Sequence, residues 1–73
     1  MIVQILVDNK ESWYVPFAHK LKNKLKETFD SVYLIHEHSE VIKGDILCLV
    51  GCEKIYKKLD LNKSNIVVHE SDL

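Results

Sequence analysis

The sequence predicts an α/β domain, a small open sheet of parallel strands joined by crossovers. Three observations carry that expectation. Four short segments rich in β-branched and apolar residues read as strands, and a four-residue apolar period between the first two reads as a helix. The first and third segments are almost continuously apolar, as suits strands covered on both faces of a parallel sheet.

Ile2-Val3-Gln4-Ile5-Leu6-Val7 is the first strand, broken by Asp8 and Asn9. From Trp13 the period changes to that of a helix. Phe17, Leu21, Leu25 and Phe29 recur every four residues with lysines between them, predicting an amphipathic helix of about four turns with those four side chains inward. Ser12 is its candidate N-cap, and Pro16 is tolerated because it falls in the first turn. Asp30 and Ser31 end the helix, and Val32-Tyr33-Leu34-Ile35 forms the second strand. Between His36 and Lys43 only Val41 and Ile42 are apolar, so a loop or single helical turn is expected there, closed by Gly44. Ile46-Leu47-Cys48-Leu49-Val50 is the third strand and Gly51 stops it. A short helix over Glu53 to Leu59, a polar turn at Asn62-Lys63-Ser64 and a fourth strand, Asn65 to His69, complete the chain.

The order β-α-β-(turn)-β-α-β implies parallel pairing with right-handed crossovers, a Rossmann-like sheet. The 3-2-1-4 strand order is the expectation, with Asp8, Asn9 and His69 on one edge where the order reverses and ligands bind. The 73 residues make one domain, and a core of this size supplies only about 3 to 5 kcal/mol. A hydrophobic share of 47% with 29% charged residues describes a chain that packs. A formal charge of −1 gives no general attraction to nucleic acid or anionic membrane. No apolar run approaches the ~20 residues of a membrane span, and Met1 leads directly into a strand, so no signal peptide or anchor is expected. Cys48 and Cys52, in or beside an apolar run, are expected as free thiols in a reducing, cytoplasmic compartment.

The turn Asp8-Asn9-Lys10-Glu11-Ser12 has no glycine, which excludes the dinucleotide fingerprint, and no Gly-Lys-Ser/Thr occurs for a P-loop. The other end is richer. Asn65-Ile66-Val67-Val68-His69-Glu70-Ser71-Asp72-Leu73 brings a histidine, a serine two residues later and a leucine to the carboxyl edge of a buried strand. This run resembles the start of the active-site motif of folate-dependent formyltransferases, of the methionyl-tRNA and sugar N-formyltransferase type. The remaining layout is also similar: a first strand from the initiator methionine, Ser12-Trp13 in a polar turn, a long helix, and Gly44-Asp45-Ile46-Leu47 opening the third strand.

The resemblance implies the N-terminal, incomplete half of a formyltransferase domain. Its reaction moves a formyl group from 10-formyltetrahydrofolate to a primary amine, an amino sugar or methionyl-tRNA, through a tetrahedral intermediate. It implies that His69 is the acid/base residue and that Ser71 lies in the substrate site. Asp8, Asn9 and Trp13, at the first turn of the sheet, are candidate substrate contacts. The family asparagine two residues before the histidine is Val67 here. Asn65 shares that strand face but lies about 13 Å back from His69, so either another group supplies the donor or the chemistry is altered or lost. The family's catalytic aspartate and most of its folate pocket fall after Leu73, so the 73 residues alone are expected to show no turnover.

The competing readings are structural. His36, His38, Cys48, Cys52 and His69 invite a zinc site, but their spacing is not that of a finger and no metal is expected. Lys20, Lys22, Lys24 and Lys26 read as a solvated helix face, joined by the lysines of the 54–58 stretch. The non-enzyme alternative is a small α/β binding or interaction module that pairs with another chain through exposed strands.

Overall fold

In a computed structural model the described residues are 1–7, 13–52 and 59–69. They form the expected parallel α/β layout. Strand β1 (Ile2–Val7) leads to helix α1 (Val15–Leu25), then β2 (Ser31–Ile35), β3 (Gly44–Val50) and β4 (Ser64–His69). Single 3-10 turns at His38–Glu40 and Leu61–Lys63 mark the last two connections. The short helix expected over Glu53 to Leu59 falls, apart from Leu59, outside the described residues.

All four strands pair in parallel, in the order β2-β1-β3-β4. This corrects the expected 3-2-1-4 order: β3, not β4, lies beside β1. The physical reason is burial. Leu47 to Val50 are all buried, and an edge position would leave this most apolar strand half uncovered. β4, with Ser64 and Asn65, is better suited to the edge.

The two faces are covered from opposite sides. On one, Val3, Ile5, Val7, Val32, Cys48 and Val50 meet α1 through Ala18, with Leu21, Leu25 and Phe29 packed around them. On the other, Leu6, Leu47 and Leu49 are covered by Val41 from the β2–β3 connection, by Cys52, and by Leu59 and Leu61 before β4. The β1–β2 connection runs one way along the sheet and the later connections the other, so crossovers of one hand must use opposite faces.

Helix α1 has eleven residues, three turns rather than four, and its N-cap is Tyr14 with no side-chain cap bond. The expected cap, Ser12, lies outside the described residues. Pro16 sits in the first turn, where a missing N–H costs nothing. After Leu25 the Glu27 and Thr28 N–H groups donate to carbonyls three residues back, Lys24 and Leu25, so the chain tightens into a closing turn where a fourth helical turn was expected. Phe17 does not point inward as expected: it is 42% exposed while Ala18 is fully buried. The inward stripe is Tyr14, Ala18, Leu21 and Leu25, which brings the helix close to the sheet through a small residue.

Gln4 is the one buried polar side chain of the described core, 1% exposed at the centre of β1. Its Nε2 donates to the Ile42 carbonyl and its Oε1 accepts from the Ile42 N–H, both at 2.8 Å. The side-chain amide thus pairs with a connecting segment as a neighbouring strand would. Asp45 Oδ2 accepts from the Ile2 N–H at 2.8 Å, tying the start of β1 to β3.

Candidate functional site

Parallel strands bring all four carboxyl ends to one edge of the sheet, and the order reverses between β1 and β3. Ligands of open α/β sheets bind outside the carboxyl ends at such a point. The groups at this edge come from the ends of β1, β2, β3 and β4 and from the start of α1.

His69 is the last residue of β4 and is half-buried. Register places Leu6, Leu49 and His69 in one row across β1, β3 and β4. Paired residues of a parallel sheet share a face, so His69 lies on the side of Leu6 and Leu49, opposite α1. Val67, two residues earlier, packs into the same apolar cluster. The position that holds asparagine in the resembled family is therefore used for packing. Asn65, on the same strand face, is exposed further back along β4.

Trp13 stands at the other side of the edge, before α1. Its indole stacks on the Tyr14 ring with centroids 4.1 Å apart and planes inclined by 25°. It remains 78% exposed. Tyr14 in turn rests on Gly51, the first residue after β3. Gly51 has φ of +63°, and a Cβ there would come within 2.6 Å of Tyr14 Cδ2. Glycine is required twice, for the left-handed backbone and for the ring that covers it. The contact carries the start of α1 across the point where strand order reverses.

Cys52 follows and is buried; its Sγ donates to the Leu6 carbonyl at 3.2 Å. His36, directly after β2, has a buried Nδ1 with no hydrogen-bond partner among the described residues. Cys48 lies on the α1 face in the middle of β3, and burial pushes its thiol above the ordinary value of 9.0. Cys48 and Cys52 are not joined by a disulfide and sit in separate clusters on opposite faces. Among the described residues, no three histidine, cysteine or acidic side chains come together as a metal site.

The expected site residues are thus divided. His69 and Trp13 both reach the carboxyl edge, but the strand order places β3 between β1 and β4, a separation of about 10 Å from β1 to β4. Asp8, Asn9 and Ser71 lie outside the described residues. The Tyr14–Gly51 seat and the Gln4–Ile42 pairing were missed in the sequence. For Gln4 the signal was present: an amide in a strand buried on both faces must find partners. For Gly51 a strand stop was legible, while the ring above it depends on tertiary contact.

A groove of about 180 Å³ runs along β2, lined by Gln4, Tyr33, Ile35, Glu40 and Ile42. No helix of the described residues is long and apolar enough to cross a membrane. Comparison of the chain with protein-family models, curated proteins and solved structures finds no match.

Proposed function

We propose that the chain is the N-terminal part of a cytoplasmic folate-dependent formyltransferase, in which His69 is the acid/base residue. The observation that carries this reading is the place of His69, closing β4 at the carboxyl edge of a parallel sheet within the run that resembles the family motif. Ser71, Asp8, Asn9 and Trp13 are assigned to substrate contact. The acceptor is a primary amine, on a small molecule or on methionyl-tRNA.

10-Formyltetrahydrofolate supplies the formyl carbon bound to nitrogen. The donor set at this edge fits proton handling: the His69 imidazole takes the proton released by the acceptor nitrogen and passes it to the departing nitrogen. Leu49 beside it and Val67 on the same strand give that imidazole an apolar backing. Val67 has no polar group, so in this reading the donor to the formyl oxygen is another residue. No folate-holding side chain is assigned among the described residues.

The test uses the protein expressed from its complete reading frame, assayed with 10-formyltetrahydrofolate and amine acceptors. His69→Asn is expected to lower kcat by about 100- to 10,000-fold with the fold retained by circular dichroism. Equal turnover by this variant and the wild type would overturn the assignment.

A second reading, a non-catalytic α/β interaction module, is favoured by β4. In the sheet of described strands it is an edge, and Ile66 is 54% exposed on the α1 side, where α1 covers β1 and β2 instead.

A further inference from the structure

β2 is one edge of the sheet of described strands, on the opposite side from β4. Its five residues, Ser31–Ile35, include no charge and no proline, two of the features with which proteins blunt an open edge. Along it runs the groove lined by Tyr33 and Ile35 from β2 and by Glu40 and Ile42 from the β2–β3 connection. Tyr33 and Ile42 are exposed. Gln4 completes the wall, but its amide is already taken up by both backbone groups of Ile42. The charged group left to a ligand there is the Glu40 carboxylate. One of its oxygens accepts from the Glu37 N–H at 3.0 Å in a capping box, which fixes the side chain in place.

The charge along this edge has one sign. Between Lys26 and Lys43 there is no lysine or arginine, while Glu27, Asp30, Glu37 and Glu40 all fall there. Glu27 pairs with Lys24 at 3.5 Å, which leaves three acids around β2. Asp30 precedes the strand, Glu37 follows it by two residues, and Glu40 stands at the groove.

We propose that the β2 edge takes up an extended segment of a partner protein that is rich in lysine or arginine. Such a segment adds a strand through main-chain hydrogen bonds, and every second side chain falls on the groove face. The apolar walls of Tyr33, Ile35 and Ile42 suit the methylene stem of a basic side chain, and Glu40 with the Tyr33 ring suits its charged head. At about 180 Å³ the groove holds one such side chain, below the ~300 to 1,000 Å³ of pockets that enclose a whole small molecule. A second copy of this chain is the poorer occupant. Antiparallel pairing of two β2 edges about Tyr33 would set Asp30 of each against the Glu37 end of the other, and like charges across strands are unfavourable. The same acids turn away nucleic acid. β1 and β3 separate this edge from His69 on β4, so the proposal stands apart from formyl transfer.

The test titrates the end-blocked peptide Val-Arg-Val-Arg-Val into the protein expressed from its complete reading frame, by calorimetry and amide NMR. Saturable binding is expected, with shifts and slowed exchange of the amides of residues 31–35. Glu40→Gln keeps the capping box, because glutamine accepts the same bond, and removes the charge; it should weaken binding about 2- to 5-fold. Tyr33→Ala should weaken it about 2- to 30-fold, and Tyr33→Phe should retain it. Salt raised from about 0.05 M to 0.5 M should weaken binding more in the wild type than in Glu40→Gln. Should Tyr33→Ala lose the fold by circular dichroism, Glu40→Gln carries the test. Five results would overturn the proposal. These are no saturable binding up to about 1 mM peptide, equal affinity for Val-Glu-Val-Glu-Val, equal affinity for the N-methylated peptide that cannot donate a ladder bond, amide shifts confined to β4, and a dimer of this chain whose interface maps to β2.

Discussion

Cys48 occupies the middle of β3 with its thiol raised by burial. A thiol whose folded value is raised holds its proton longer in the native state than in the unfolded chain. Its stabilising contribution is complete below the ordinary thiol value of 9.0 and is lost as pH climbs through the raised value. Native stability is therefore expected to fall between pH 8 and pH 10, and Cys48→Val should flatten that fall. Urea midpoints at the two pH values check it, and identical slopes in variant and wild type would refute it. At this scale the sequence was informative where chemistry is local. Cys48 in an apolar run announced burial, and His69 at a strand end announced the carboxyl edge. The seat of Trp13 was illegible, because Tyr14 and Gly51 meet only after β1 and β3 have paired.

Between elements, the β2–β3 connection is held to the sheet by polar contacts as well as by Val41. Gln4 grips both backbone groups of Ile42, and Lys63 Nζ donates to the Val41 carbonyl at 3.4 Å. Replacing Gln4 with leucine leaves the part-buried Ile42 N–H and C=O without those partners, and each hydrogen bond lost costs about 0.5 to 1.5 kcal/mol. Gln4→Leu is expected to lower stability by about 1 to 3 kcal/mol in urea unfolding. A loss under 0.5 kcal/mol would show that water replaces the amide freely. The four strands were legible to within two residues because apolar runs bounded by polar turns are strong signals. The phase of α1 was less so. A period of four through Phe17 and a stripe through Ala18 differ by one position, and only the closeness of helix to sheet chooses the smaller residue.

For the molecule as a whole, parallel topology followed from the alternation of elements, whereas strand order did not. The decisive quantity was how much of each strand must be buried, and β3 exceeds β4 in this. The result leaves β4 at an edge with Ile66 exposed, the geometry from which strands pair with other chains. If self-association runs through this edge, sedimentation will show a concentration-dependent mass that Ile66→Lys abolishes, with the monomer still folded. A wild type that stays monomeric up to high micromolar concentration would remove the support for the interaction-module reading.

The pairing of Gln4 with Ile42 reaches one residue further. A Cβ at Gly44 would come within 2.8 Å of Gln4 Nε2, so the amide lies directly over the glycine. Positions 4, 42 and 44 therefore behave as one unit of sequence, and substitutions at 4 and 44 do not add. A side chain at 44 is costly while glutamine stands at 4, and becomes cheaper once a shorter residue has replaced it. The order in which the two positions change decides which path through sequence space remains folded.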